Sequence, residues 1–388
     1  MFDWVAVVFF WLPLGLFLYH WFIFPFLLWV MVKLSPRRRR KDGEHLNNHE
    51  LPKVTIAIAA WNEELTIEAK LRNCLELDYP PDKIEILVGT DAVADRTNEI
   101  VERFARQDSR IRLIAVSERI GKSAVINLLA QAATGDIILF TDADVLLEPG
   151  VLQAGVRRFQ EADVGVVSCN YRRRNKEGNP AESLWDKYEN RLKDWEGMLG
   201  CTVGISGWAM FMRRVVFRPL PHDIINDDYV LGIFVFKQGY KSVYERSAIA
   251  WTKVEPPQIE FKRKARMNRG NAQQIFRYSD ILLPKYGLVA WIFFSHKYLR
   301  WFTPFILLSI LVTSAIKSAI PFFCILLLLQ ILIYLTTPLV PYIKGKLRKL
   351  MFAQYYVWLN LAFIVGYWQF FFGKRLKYNW LRTERRVD

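Results

Sequence analysis

The chain has 388 residues, 52% of them hydrophobic, and a formal net charge of +15. That length argues for two or more domains rather than one small core. The basic excess is not spread as a nucleic-acid surface would be. It collects in residues 33–41, 262–277, 344–349 and 374–388, and three of these patches border apolar segments, as membrane-edge charges do.

In chain order, no charged residue occurs from Trp4 to Val32, a stretch longer than the ~20 residues of a membrane span. No basic stretch precedes it and no small-residue cleavage site follows it. Residues 1–33 are therefore expected to be a retained transmembrane anchor. A basic and polar linker follows at 34–50, and its run Arg37 to Lys41 assigns the next segment to the cytoplasm. Short apolar runs at Val54–Ala60, Ile84–Gly89, Ile111–Ala115 and Ile137–Phe140 predict strands. Helical patterns over 63–77, 98–106 and 123–133 separate them. Such alternation predicts an α/β domain over 51–278, a doubly wound, Rossmann-like parallel sheet covered on both faces. Residues 181–198, with Trp185, Tyr188 and Trp195 among charges, predict an amphipathic helix, either at the membrane interface or packed on the sheet. An interfacial connector is expected at 279–301. A C-terminal transmembrane bundle follows at 302–373, with apolar segments at 302–316, 318–342 and 350–373, and then a basic tail at 374–388. The first apolar segment is short enough to lie in the interface. Four cysteines stand far apart with no CxxC pair, which argues against a zinc site and a disulfide framework.

The chemistry concentrates at strand ends. Asn62 and Glu63 follow the first strand, Asp91 the second, and Asp142 and Asp144 the fourth. Ligands of doubly wound sheets bind at that edge. Ionised carboxylates beside a buried strand need a positive partner. Ile120-Gly121-Lys122-Ser123 ends like a phosphate-binding P-loop, but the earlier glycine is replaced by Val116, and no GxGxxG follows the first strand. Asp142-Ala143-Asp144 lacks the Thr or Val of a haloacid-dehalogenase-like phosphatase, having Leu146 there. The remaining reading is an Asp-x-Asp pair holding Mg2+ or Mn2+ on a diphosphate, since these cations share their oxygen shell between one or two carboxylates and phosphate.

The ordered set AAWNEE (59–64), GTDAVADRT (89–97), GK (121–122), TDAD (141–144), SGWAMFMRR (206–214), NDD (226–228) and RKARMNRG (263–270) resembles the membrane-embedded branch of glycosyltransferase family 2. That branch includes cellulose synthase, hyaluronan synthase and poly-N-acetylglucosamine synthase. The resemblance implies a GT-A fold and an inverting, metal-dependent transfer from a UDP-sugar, with UDP-N-acetylglucosamine and UDP-glucose the leading donors. It implies that Asp91 contacts the base, that Asn62, Glu63, Lys122 and Asp142 bind the nucleotide sugar, and that Asp142 and Asp144 hold the metal. It makes Asp228 the general base and puts Gly207, Trp208, Asp227 and Arg269 on the acceptor side. An adjacent Asp227 suits a base, because like charges raise one pKa. Arg266 keeps a guanidinium for the diphosphate, but Met267 stands where the processive synthases have a tryptophan. The expected acceptor is therefore a glycan or a lipid-linked sugar receiving one or a few residues. A processive synthase–translocase, and an inactive nucleotide-sugar-binding scaffold or transporter subunit, are the alternatives. The implied setting is the bacterial inner membrane with a cytoplasmic catalytic domain. Membrane lipid is an expected partner, together with a second copy or an accessory membrane subunit; nucleic acid is not.

Overall fold

The computed structural model describes residues 7–35, 51–175, 177–337 and 351–373. The basic run 37–41 that suggested the topology, the patch 344–349 and the tail 374–388 lie outside the described residues.

The chain begins with helix α1 (Val8–Leu34). The first alternating stretch is β1 (Val54–Ala60), α2 (Ile67–Leu75), β2 (Ile84–Asp91), α3 (Thr97–Gln107), β3 (Ile111–Val116), α4 (Lys122–Ala132) and β4 (Ile137–Asp142). Then come β5 (Leu146–Leu147), α5 (Val151–Arg157), β6 (Val164–Arg174), α6 (Leu184–Met198), β7 (Ala209–Arg213), α7 (Asp227–Lys237) and β8 (Lys241–Lys253). The last helices are α8 (Pro257–Arg277), α9 (Leu288–Ile316), α10 (Pro321–Thr336) and α11 (Met351–Phe371).

These elements form two compact units. One comprises Val32–Glu255 with Leu283–Ala290 and holds the whole sheet; the other comprises Met1–Met31, Pro256–Leu282 and Trp291–Lys374. Helix α8, placed in the globular domain by its sequence position, groups with the apolar helices.

The eight strands run in the order β3-β2-β1-β4-β7-β6-β8-β5. Pairings β1–β2, β1–β4 and β2–β3 are parallel, as the alternating pattern predicts. Every residue of β1 is buried, which is why it reads as an unbroken apolar run. The second half departs from the expected parallel sheet. Strand β7 is antiparallel to both β4 and β6, β6 and β8 pair parallel, and β5 is antiparallel to β8. Helices press closely on the parallel half. A Cβ at Gly89 would lie 2.6 Å from Val125 Cγ1, so β2 accepts α4 only because residue 89 has no side chain. Helix α6 packs on β8, with Trp185 and Leu192 buried. Its first turn is closed by a capping box between Ser183 and Asp186. This is the sheet-packed alternative of the two that its pattern allowed.

In the second unit, α1 and α9 are each long and apolar enough to cross a membrane. The segment expected to start at Phe302 belongs to a helix that starts at Leu288. The apolar run is interrupted in sequence by His296, Lys297 and Arg300, yet His296 is fully buried and Arg300 nearly so. Polar contacts accommodate this stretch: His20 Nδ1 donates to the Ser295 carbonyl at 2.7 Å, and Trp291 Nε1 donates to the Tyr19 hydroxyl at 2.8 Å. Helices α8 and α11 approach closely around Gly366, where a Cβ would sit 2.8 Å from the Ala265 carbonyl.

Candidate active site

Strands β2, β1 and β4 are neighbours and parallel, so the residues after them share one edge of the sheet. The loops there are tied together by backbone N–H groups. Asn62 adopts a left-handed φ of 55°, which asparagine tolerates, and its Oδ1 accepts from the Ala94 N–H at 2.8 Å. The Glu63 N–H donates to Thr97 Oγ1 at 2.8 Å, and the Glu63 carboxylate accepts from Thr66 Oγ1 at 2.7 Å. Ala92 has φ 47°, a strained value for a residue with a side chain, directly after Asp91.

Asp91 is fully buried. Its carboxylate accepts from the N–H groups of Ile120 at 2.6 Å and Gly121 at 3.1 Å, and pairs with Arg119 Nε at 3.0 Å. Gly121, with φ 87°, supplies the turn that leads into α4 while its N–H points to Asp91. The Arg119 guanidinium lies 3.5 Å from the centroid of the Trp61 ring, within cation–π range. Asp91 thus organises the loop between β3 and α4 and braces a flat Arg119–Trp61 stack at the strand edge.

Lys122 joins the two halves of the site. Its Nζ lies 2.9 Å from Asp142 Oδ1 and 3.5 Å from Asp227 Oδ2. The end of β4 and the start of α7 therefore face each other across one ammonium. Asp228 is the next residue on α7 and is half-buried. Burial, then the neighbouring Asp227 charge, push its carboxyl up to about 6, against N–H donation from Tyr229 and Gly207 and the charge of Lys122. The Tyr229 N–H donates to Asp228 Oδ1 at 2.8 Å. Gly207 abuts the same carboxylate, so that a Cβ there would stand 2.8 Å from Asp228 Oδ2. Trp208 follows, its carbonyl accepting from the Asp142 N–H at 3.3 Å and from Thr141 Oγ1 at 2.9 Å. Its indole meets Tyr171 edge-on at 4.5 Å and packs against the core, leaving it partly exposed.

The sheet-bearing unit therefore brings Asn62, Glu63, Asp91, Lys122 and the acids Asp142 and Asp144 to one strand edge. Through Lys122 and Gly207 it sets Asp227 and Asp228 beside them. Arg266 and Arg269 stand on α8, in the other unit. Lys70, Trp61, Thr141 and Arg119 are functional neighbours that the sequence reading did not single out. Lys70 had a signal: Ile67, Lys70, Leu71 and Cys74 are the buried positions of α2, and their spacing puts a lysine on the core face.

The residues suit a divalent cation shared with a phosphate. Among the described residues no cluster of three or more His, Cys, Asp or Glu side chains could cage a metal. Asp142 and Asp144 supply only carboxylate oxygen, and an ammonium already neutralises Asp142. Two hard ligands and an incomplete shell are what Mg2+ or Mn2+ uses when phosphate oxygens and water complete it.

The sequence matches glycosyl transferase family 2 over residues 55–217 and glycosyl transferase family group 2 over residues 137–370. It is 28% identical over 249 residues to the probable glycosyltransferase YdaM of Bacillus subtilis, covering 60% of this chain and 58% of that protein. It is 25% identical over 241 residues to the poly-beta-1,6-N-acetyl-D-glucosamine synthase of Staphylococcus aureus, again 60% of this chain and 58% of the relative. The fold is that of mannosyltransferase PcManGT from Pyrobaculum calidifontis, solved with GDP-mannose and Mn2+. The TM-score is 0.71 at 23% identity, over 93% of this chain and 98% of that one. The family group 2 match alone runs from β4 into the apolar helices and takes in more than half of the residues. This chain belongs to glycosyl transferase family group 2, and its sheet-bearing unit has the GT-A fold.

Proposed function

We propose that the protein is a membrane-bound inverting glycosyltransferase that moves a sugar from a nucleoside-diphosphate donor, UDP-N-acetylglucosamine or UDP-glucose first, to a glycan or lipid-linked acceptor. The observation that carries this reading is the Lys122 bridge. It ties the start of α7, where Asp228 with its raised pKa follows Asp227, to the acids that end β4, so that a sugar held between them would have its acceptor's base on one side and the leaving diphosphate on the other. The relatives support transfer of a sugar, the helices over Val8–Leu34 and Leu288–Ile316 support an integral membrane setting, and the basic run 37–41 supports a cytoplasmic catalytic unit.

In this mechanism Asp142 and Asp144 would hold Mg2+ or Mn2+, and Asp91 fixes the Arg119–Trp61 stack that would receive the nucleotide base. A bound cation supplies charge neutralisation on the departing diphosphate. The ionised Asp228 accepts the proton of the acceptor hydroxyl as its oxygen bonds to the anomeric carbon. The bond from that carbon to the diphosphate breaks on the opposite face, which inverts the centre and needs no covalent intermediate. Transfer by a positioned base contributes ~10²–10⁴-fold. Lys122, now paired with Asp142 and Asp227, is assigned to the nucleotide sugar. Trp208, on the Gly207 side of Asp228, is the acceptor platform, and Asp227 and Arg269 are assigned to the acceptor side, with Arg266 toward the diphosphate. With Met267 in place of a stacking tryptophan, addition of one or a few sugars is favoured over processive synthesis.

The test is to offer detergent-purified full-length protein a donor panel including UDP-N-acetylglucosamine, UDP-glucose and GDP-mannose, with Mg2+, Mn2+ or chelator, and to size the labelled product. A short or lipid-extractable product that needs metal supports the reading. A high-molecular-weight polysaccharide would establish the processive alternative. Donor binding without turnover would establish the scaffold, and full activity in chelator would remove the metal role.

A further inference from the structure

Lys70 is fully buried in α2, and its ammonium lies beneath the turn that carries Asp142 and Asp144. Its Nζ donates to Thr141 Oγ1 at 3.0 Å and to the Val145 carbonyl at 2.6 Å. Those acceptors belong to the residues immediately before and after the Asp142-Ala143-Asp144 segment. Thr141 passes the connection on, donating from Oγ1 to the Trp208 carbonyl at 2.9 Å. A buried lysine is costly: desolvation pulls its pKa down, offset partly by Cys74 and then by the charges of Asp144 and Asp142. An alkyl side chain would fill the same space without that cost, so the core alone does not account for a lysine here.

We infer that Lys70 is a positioning residue for the Asp142–Asp144 pair: one ammonium fastens both ends of the turn and fixes the separation and aim of the two carboxylates. This rests on the reading of that pair as the cation site. Two effects oppose each other when the lysine is removed. Its positive charge behind the carboxylates weakens cation binding, whereas its two hydrogen bonds preorganise the ligands. The bonds dominate, because without them the Val145 carbonyl loses the buried ammonium it accepts from, while Thr141 keeps only its bond to the Trp208 carbonyl. The turn must then open to solvate the Val145 carbonyl.

The experiment compares wild type, Lys70→Met and Thr141→Val in the full-length protein. Amide hydrogen exchange of residues 141–147 is measured without metal or nucleotide, and Mn2+ binding is then titrated in the presence of UDP. Both variants should exchange faster in 141–147 than wild type while β1 and β2 keep their protection. Mn2+ affinity should fall by ~10-fold or more in Lys70→Met, the range for lost outer-shell support of a metal ligand, and by less in Thr141→Val. The half-saturating metal concentration for transfer should rise with it, and the acceptor KM should stay within a few-fold. A purely structural lysine would lower protection across the whole sheet and leave Mn2+ affinity unchanged, which overturns the inference. Tighter Mn2+ binding would show a repelling charge instead and overturn it equally. Should Lys70→Met fail to fold, Thr141→Val decides by the same readouts. Asp144→Asn separates the two readings: if it leaves Mn2+ affinity intact the cation site is misplaced, whereas if it abolishes binding and Lys70→Met does not weaken it, only the role of Lys70 fails.

Discussion

Gly207 and Asp228 share one space: a Cβ on the glycine would lie 2.8 Å from Oδ2 of the aspartate. The absence of a side chain at 207 lets the Asp228 carboxylate stand where it does. Gly207→Ala should therefore move the carboxylate without unfolding the sheet. A misplacement of about 1 Å costs on the order of 10²-fold in turnover. The expected result is a fall in kcat of that order with donor affinity within a few-fold. Gly150→Ala, where a Cβ meets nothing within 4 Å, is the control and should be silent. Wild-type kcat in Gly207→Ala would show that Asp228 is not the base.

Asp228→Asn should separate chemistry from stability. Transfer should drop by orders of magnitude, with UDP affinity nearly unchanged. The folded pKa of this carboxyl lies above its ordinary value, so ionisation opposes folding. That opposition is absent below about pH 4, grows through the interval, and is complete above about 6. The asparagine variant should accordingly melt higher than wild type at pH 7.5, by up to ~3 kcal/mol from a shift of about two units, and match it near pH 4. Thermal melts across pH check this, and equal melting at both ends would refute it.

The pH–rate profile follows from the same group. Transfer should fall below about pH 6 as Asp228 takes up a proton. Asp227→Asn removes a neighbouring negative charge that helps hold the pKa up, so its acidic limb should move to lower pH. A limb that stays in place, or moves upward, would mean that Asp227 does not act on the base through its charge.

Asp91 is a structural keystone whatever it does for a nucleotide. Asp91→Ala strips the acceptor from two N–H groups and leaves the Arg119 guanidinium without its buried carboxylate. Breaking a buried pair from one side costs roughly 3–5 kcal/mol. Asp91→Asn keeps one acceptor oxygen and should cost clearly less. Denaturant melts of the two variants would rank them, and a stable Asp91→Ala protein would contradict the observed geometry.

The first half of the fold was legible because β1, β2 and β4 are almost wholly buried and spelled as nearly unbroken apolar runs, with Gly121 and the acids punctuating them. The second half was not. Strand β6 ends in Arg172, Arg173 and Arg174, and β8 carries Glu245 and Arg246, so neither shows a clean period. The start of α9 was hidden by His296 and Lys297, in a stretch held by partners far away in sequence: Tyr19 and His20 reach Ser295, and Phe24 lies against the His296 ring. The acids at the strand ends could be found one by one. Their connections could not: the Lys122 bridge, the Arg119–Trp61 stack and the Lys70 clamp are meetings of distant segments that no local spacing encodes.

Strand β4 closes the all-parallel half of the sheet, parallel to β1 on one side and antiparallel to β7 on the other. The two sides differ in the length of chain they must close. Strands β1 to β4 are joined by successive short crossovers, whereas β7 returns to β4 only after β5, β6 and α6 have been made. Loop closure makes local pairings the faster ones. The half that presents Asp91 and Asp142 should thus fold ahead of the half that delivers Asp228. A chain still emerging from the ribosome would set Asp91 and Asp142 in place before it carried Asp228.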